Sequence, residues 1–169
     1  MNELNLTGQK VKFSCPVCEK KFNITIHPII ISELQPYLEM DLFYQSLFDF
    51  ECPGCLRELR FFYPVSYHNL RQQTMIHLFS ENKEKRKQNQ LVAKELEKRF
   101  QAAYRDQTSF LYKLYREFYT GPITTEFRYQ AVYSTQEMSH EVFNLQWALR
   151  HDCPADAPVQ ETRRSLTTK

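Results

Sequence analysis

Two short segments of the same form constrain the fold of this chain more than any other feature: Cys15-Pro16-Val17-Cys18 and Cys52-Pro53-Gly54-Cys55. A Cys-x-x-Cys turn holds two sulfur atoms about 3.5–4 Å apart, close to the edge of a tetrahedron with Zn–S bonds of about 2.3 Å. The two segments together therefore predict one tetrahedral site. The 33 residues between Cys18 and Cys52 exceed the roughly 15–20 of the common pattern, and a helix within 32–46 is predicted to account for the excess.

The four thiols predict a structural metal site. Four thiolates leave no coordination position open for substrate, so we expect one structural Zn²⁺ per chain, bound by Cys15, Cys18, Cys52 and Cys55. A redox-active dithiol is the competing interpretation, and it favours a CxxC at a helix N-terminus, where the pKa of a thiol is lowered. Both segments here lead into strand-like sequence. Cys153 lies in a proline-rich tail without a partner motif and is left out of the site.

Composition is that of an ordinary soluble protein. Of the 169 residues, 25% are charged and 42% hydrophobic, with a formal net charge of +2, as in soluble globular domains. Residues 1–12 lack the apolar stretch of a secretory leader, and no run approaches about 18 apolar residues. These features predict a cytoplasmic protein with no membrane contact. In a reducing compartment, paired cysteines favour metal or redox chemistry over disulfides.

The pattern of apolar residues predicts an α+β fold. Strands are expected on both sides of each cysteine pair and at 73–79, forming a small antiparallel, zinc-ribbon-like sheet within residues 1–80. Residues 81–120 carry apolar side chains at helical spacing with neither glycine nor proline before Phe118, which predicts one long amphipathic helix. Residues 121–150 are expected to add a strand at 126–133 and a helix capped by Ser134 and Glu137. Residues 151–169 are predicted to be a disordered tail.

Several segments outside the cysteine pairs carry a resemblance to a known family. Together with the two CPxC segments, three stretches and the helix after the last of them resemble the CpXC-domain family of bacterial and archaeal proteins. The stretches are Tyr63-Pro64-Val65-Ser66-Tyr67-His68, Met75-Ile76-His77-Leu78 and Arg128-Tyr129-Gln130-Ala131-Val132. The resemblance covers about 10–80 and 126–149, and leaves 81–120 as a lineage-specific segment. It implies zinc binding by the four cysteines named above and no activity. Such turns commonly have glycine after the second cysteine, so Glu19 and Leu56 predict an unusual turn geometry.

Function is predicted at the level of binding. The chain contains no serine elbow, phosphate-binding glycine loop, His-Glu-x-x-His or paired-carboxylate motif, and we therefore expect a non-enzymatic zinc protein that contacts a protein partner. Substitution of any of the four cysteines by serine is expected to unfold residues 10–80. The apolar stripe at 92–118 is interpreted as core or as a homodimer contact. His68 is interpreted as a hydrogen-bonding structural residue rather than a ligand of a second metal.

Two alternatives of other classes stay open. Basic and aromatic residues could bind single-stranded nucleic acid by phosphate contact and base stacking; they are Arg57, Arg60, Phe61, Phe62 and Tyr63, with the basic residues at 83–87. The interleaved acids Glu58, Glu81 and Glu84 weaken this interpretation. The second alternative is a thiol oxidoreductase that uses the CxxC pairs.

Overall fold

The structure, a computed structural model, describes residues 6–80, 82–121 and 127–151, without the side chains of Lys83 and Arg86. The described part of the chain forms eight strands and four α-helices. In chain order these are β1 Gln9–Ser14, β2 Lys21–Ile26, β3 Ile29–Ile31, α1 Pro36–Phe43, β4 Asp49–Glu51, β5 Glu58–Arg60, β6 Val65–Asn69, β7 Thr74–Leu78, α2 Arg86–Arg105, α3 Phe110–Phe118, β8 Arg128–Val132 and α4 Thr135–Arg150. No described helix is long and apolar enough to cross a membrane.

The strands form three sheets, where the sequence predicted a single small antiparallel one. β1 pairs with β2, and β4 pairs with β5, as two separate antiparallel hairpins. The third sheet has the order β3-β6-β7-β8, and in it β6 and β7 are antiparallel while the two outer pairs are parallel. Parallel neighbours require a long crossover connection. The chain makes such a crossover through α1 before β6, and again through α2 and α3 before β8.

The four-stranded sheet lies between two helical layers. Every residue of β6 and β7 is buried, as expected of strands covered on both faces. Val65, Tyr67, Ile76 and Leu78 belong to one core cluster with the buried side chains of α1 and α4. Met75 belongs to a second cluster with the buried side chains of α3 and with Tyr104 of α2. The period of two along each strand thus directs alternate side chains to the two helical layers.

The helical segment differs from its prediction. Residues 81–120 were expected to form one helix, but α2 ends at Arg105 and α3 begins at Phe110. The Asp106 carboxylate accepts hydrogen bonds from the Thr108 backbone N–H and hydroxyl, at 2.9 and 2.7 Å. The Ser109 hydroxyl accepts the Tyr112 N–H at 3.1 Å and so caps α3. Short polar side chains that bind nearby backbone in this way compete with a continuous helix.

Three other predicted elements, two helices and a strand, are present in the structure. The helix expected within 32–46 is α1, which starts at Pro36, where a proline is well tolerated. The strand expected at 126–133 is β8, and the helix after it is α4. The Ser134 hydroxyl accepts the Glu137 N–H at 3.0 Å, whereas the Glu137 carboxylate binds the Tyr133 N–H at 2.8 Å instead of closing a capping box on Ser134. Cys153 and the predicted tail from residue 152 onward lie outside the described residues.

Candidate metal centre

Each cysteine pair lies in the turn of one hairpin, and the two turns have the same backbone hydrogen bonds. In the first, the Cys15 N–H donates to the Lys20 carbonyl and the Glu19 N–H to the Cys15 carbonyl, both at 3.0 Å. In the second, the Cys52 N–H donates to the Arg57 carbonyl at 3.0 Å and the Leu56 N–H to the Cys52 carbonyl at 2.9 Å. The repeated sequence therefore produces a repeated local structure.

The residue after each second cysteine has left-handed backbone geometry. Glu19 has a φ of 58° and Leu56 a φ of 56°. The departure predicted for these two positions is therefore one of backbone strain, because side chains with a Cβ adopt this region at a cost of about 1–2 kcal/mol per residue. The turn keeps the conformation that glycine ordinarily provides, although neither residue is glycine.

The two turns bring the four sulfur atoms together. Cys15 Sγ lies 3.8 Å from Cys55 Sγ, and Cys18 Sγ lies 3.5 Å from Cys52 Sγ. All four Sγ atoms lie within 4.8 Å of one another, and all four thiols are free. A tetrahedron with M–S bonds of about 2.3 Å has edges of roughly 3.8 Å. The cluster could therefore hold a tetrahedral metal ion with little rearrangement.

Burial and backbone dipoles distinguish the sulfurs within each pair. The first cysteine is buried, Cys15 at 1% and Cys52 at 0% exposure, while Cys18 and Cys55 are exposed. The Val17 N–H donates to Cys15 Sγ and the Gly54 N–H to Cys52 Sγ, both at 3.4 Å. Such N–H groups share the negative charge of a thiolate ligand.

The surroundings of Cys52 and of Cys18 shift the pKa values of these two thiols in opposite directions. The backbone N–H groups of Cys55 and Gly54 lower the pKa of Cys52 to about 6, even though burial acts against them. At Cys18, the Lys20 backbone N–H lowers the pKa, but removal from water and the neighbouring thiols raise it to about 11. The backbone N–H groups thus favour a thiolate at Cys52, the protonation state that a metal ligand needs.

Contacts other than sulfur also join the two hairpins. Lys20 Nζ donates to the Pro53 carbonyl at 3.3 Å. The ring of Phe13, in the first hairpin, packs edge to face against the ring of Phe61, which follows the second hairpin, with 5.4 Å between the ring centres. A Cβ at Gly54 would lie 2.7 Å from Lys20 Cδ and 3.2 Å from Cys18 Sγ. Glycine at this position therefore allows the close approach of the two turns.

His68, considered in the sequence as a second candidate site, is a core residue. It is 0% exposed, and its Nε2 and Nδ1 lie 3.0 Å from Ser66 Oγ and 2.6 Å from Tyr104 Oη. Burial lowers the pKa of His68 to about 3. Both ring nitrogens have partners within the fold, which agrees with the structural role predicted for this residue.

The aromatic residues predicted to stack on nucleic acid belong mostly to the core. Tyr63 is 4% exposed and its hydroxyl donates to the Leu47 carbonyl at 3.3 Å, and Phe61 packs against the same cluster. Phe62 is 36% exposed and stacks on Phe48. Arg60 forms an ion pair with Asp49 at 3.0 Å. The segment 57–63 is therefore not an open stacking surface.

A basic surface lies on the first hairpin, outside the segments that were predicted to bind nucleic acid. Lys10, Lys12 and Lys21 are exposed. Val11 and Phe13, which alternate with Lys10 and Lys12 along β1, pack against the core. The alternation of lysine with apolar residues at 10–13 was the signal for this surface.

One of three comparisons with known proteins finds a match. The model of the CpXC protein family matches residues 13–152. This range includes residues 81–120, which the resemblance seen in the sequence did not cover. No curated protein and no solved structure matches the chain. The family match covers most of the sequence and includes both CPxC turns, and this chain therefore belongs to the CpXC protein family.

Proposed function

We propose that this protein is a non-enzymatic zinc-binding module, in which one Zn²⁺ per chain is bound by Cys15, Cys18, Cys52 and Cys55. The observation that carries the proposal is the convergence of four free thiols within 4.8 Å, two from each hairpin. Zinc accepts a tetrahedral set of four thiolates. The ion would join hairpin β1–β2 to hairpin β4–β5 in a zinc-ribbon-like arrangement.

The proposed role of the ion is structural. Four protein ligands fill the tetrahedron and leave no position for a substrate or a water nucleophile. Hairpin β4–β5 has strands of three residues, and an isolated two-stranded hairpin is at best marginally stable in water. Zinc binding in small peptides has apparent free energies of about 10–16 kcal/mol, which is ample to fix the position of such a hairpin.

Metal analysis of the full chain purified without chelator tests this proposal. We expect elemental mass spectrometry to find one zinc per chain. We also expect the four thiols to react with a thiol reagent only after the metal is removed. Cys52→Ser should reduce the zinc content, whereas Cys153→Ser should leave it at one per chain. Metal-free protein with thiols that cycle between dithiol and disulfide would instead support the thiol oxidoreductase.

We further propose that the module works by contact with a protein partner in the cytoplasm, where free thiols are maintained. Large apolar side chains are exposed on α2 and α3: Leu91 at 70%, Val92 at 44% and Phe110 at 55%. These residues could contact a second copy of the chain. Sedimentation velocity over a range of concentrations should then show a dimer that Leu91→Glu weakens, and a monomer at all concentrations would contradict a homodimer.

Nucleic-acid binding is the second candidate, and the basic face of hairpin β1–β2 is the observation that favours it. In the strand register, Lys10 lies opposite Thr25, Lys12 opposite Asn23 and Lys21 opposite Ser14, so each lysine has a polar neighbour. A two-stranded ribbon can enter the major groove of DNA. Binding to a DNA oligonucleotide should weaken steeply with salt and with Lys12→Glu. Absence of binding at low salt would reject this candidate.

A further inference from the structure

The four-thiol cluster is closed to substrates, but this does not prevent electron transfer. Four sulfur ligands leave no coordination position for a substrate or a water nucleophile. Transfer of a single electron needs no open position, because no bond to the metal forms or breaks. Tetrahedral sites of four thiolates suit iron as well as zinc. The same four sulfur atoms can therefore hold a metal that changes its oxidation state.

Two of the four sulfur atoms lie at the protein surface. Cys18 and Cys55 are exposed, whereas Cys15 is 1% and Cys52 0% exposed. The two exposed cysteines belong to different hairpins, and their Sγ atoms lie within 4.8 Å of each other. The cluster thus has one exposed edge to which both hairpins contribute. Exposed ligands do not help a purely structural ion, because acid and chelators can reach them, but they let an electron donor come close.

Apolar side chains flank this exposed edge. Val17 precedes Cys18 and is 50% exposed, and Leu56 follows Cys55 and is 70% exposed. Leu56 has a φ of 56°, in the left-handed region where glycine is ordinarily found. The fold therefore bears backbone strain for a leucine that buries little of its surface. Strain at an exposed position indicates a function, and an apolar side chain beside a metal site limits the access of water to it.

Hydrogen-bond donors and a lysine surround the sulfur atoms. Backbone N–H groups donate to the two buried sulfurs, at 3.4 Å each. Lys20 lies over the second turn, with its Nζ 3.3 Å from the Pro53 carbonyl and its Cδ 2.7 Å from where a Cβ at Gly54 would lie. Four thiolates with Fe²⁺ have a net charge of −2, against −1 with Fe³⁺. Hydrogen bonds and positive charge favour the more negative state, so these groups raise the reduction potential of a bound iron.

We propose that the cluster of Cys15, Cys18, Cys52 and Cys55 also binds iron, and that the iron-loaded protein is a one-electron transfer centre. A one-electron reductant at the exposed edge converts Fe³⁺ to Fe²⁺, and a one-electron oxidant reverses the step. No proton moves, the four thiolate ligands stay bound, and the cysteines keep their oxidation state. The inference rests on the proposed four-cysteine site, but it does not require zinc to be the resident ion.

Reconstitution of the full-length chain tests the proposal. The metal-stripped protein would be loaded anaerobically with Fe²⁺, and a second sample with Zn²⁺. We expect one iron per chain and, after oxidation by ferricyanide, visible absorption from thiolate-to-Fe³⁺ charge transfer. Dithionite should bleach this absorption and ferricyanide should restore it over repeated cycles, while the zinc sample stays colourless. The cysteine thiols should be recovered in full when the iron is removed, because they are not oxidised.

Variants test the exposed edge through the reduction potential, measured against redox dyes. Leu56→Ala and Leu91→Ala each truncate a leucine that is 70% exposed, but only Leu56 adjoins the cluster. Leu56→Ala admits water, which favours the more negative Fe²⁺ state, and should raise the potential; Leu91→Ala should leave it unchanged. Lys20→Gln removes a positive charge and should lower the potential. Lys10→Gln, at an exposed position on β1, is its control and should match the wild type.

The outcomes separate this inference from the zinc proposal. A chain that binds one Zn²⁺ but no iron, or whose absorption bleaches once and does not return, overturns the electron-transfer centre alone. A chain that binds neither metal overturns both proposals. Equal reduction potentials in the wild type, Leu56→Ala and Lys20→Gln would overturn the roles assigned to the exposed edge and to the lysine.

Discussion

Cys18 Sγ lies 3.5 Å from Cys52 Sγ, although 34 positions separate the two residues in the chain. The sulfur atoms of Cys15 and Cys55 approach to 3.8 Å in the same way, so the first cysteine of each hairpin faces the second of the other. Each hairpin supplies one buried and one exposed sulfur. A metal at this position would therefore hold the two hairpins symmetrically.

Replacement of a metal ligand should loosen the hairpins before it affects the four-stranded sheet. We expect Cys18→Ser to lose zinc and to increase hydrogen exchange in β1–β2 and β4–β5. β6 and β7, buried along their whole length, should keep their protection, so unfolding of all of residues 10–80 is no longer expected. Hydrogen exchange followed by mass spectrometry measures both regions, with Cys153→Ser as the control. Unchanged exchange in the hairpins of zinc-free Cys18→Ser would contradict the structural role.

Leu56→Gly should stabilise the protein. Leu56 has a φ of 56° and is 70% exposed, so the change relieves left-handed geometry and removes little packing. The relief of about 1–2 kcal/mol exceeds the extra chain entropy of glycine, about 0.5–1 kcal/mol. The free energy of unfolding from urea titration should rise by roughly 0.5–1 kcal/mol. Glu58→Gly, at an exposed strand position, should lower it, and a loss of stability in Leu56→Gly would refute the argument.

The cap of α4 should be measurable in the stability of the whole protein. Ser134→Ala removes the acceptor of the Glu137 N–H and should lower the free energy of unfolding by about 1 kcal/mol. α4 buries Met138, Val142 and Leu145 in the core, so the loss should appear in global urea unfolding. Ser134→Asp retains an acceptor and serves as the matched control. Equal losses in both variants would show that the hydroxyl does not act as a cap.

Acid should destabilise the fold through His68. Burial lowers its pKa to about 3 from an ordinary value of 6.5, so the unfolded chain binds a proton that the folded protein does not. The contribution of neutral His68 to the free energy of unfolding is fully present above about pH 6.5. It declines as the pH falls towards 3, by up to about 1.4 kcal/mol per pH unit.

Stability measured across this range should depend less on pH in His68→Gln than in the wild type. The exposed His140→Gln variant is the control and should match the wild type. All three proteins retain the same four thiols, so acid loss of a metal affects them alike. Identical pH dependence in His68→Gln and the wild type would contradict this assignment.

The sequence alone was sufficient for most features that depend on neighbouring residues. The CPxC turns, the alternation in β2 and β8, and the Ser134 cap are local patterns, and the matched cysteine pairs identified the cluster because four such thiols have few other uses. The break between α2 and α3 was also local, since Asp106 and Ser109 are helix-ending and helix-starting residues, and the periodic apolar stripe concealed it.

Tertiary structure alone decided which elements became neighbours. A strand has the same alternating pattern whichever strand it pairs with, so the parallel pairs β3–β6 and β7–β8 could not be derived from the pattern. The packing of Phe61 and Tyr63 into the core depends on the same choice. Glu39 and Trp147 line one groove because α1 packs against α4, and no short-range pattern records a contact between residues that far apart in the chain.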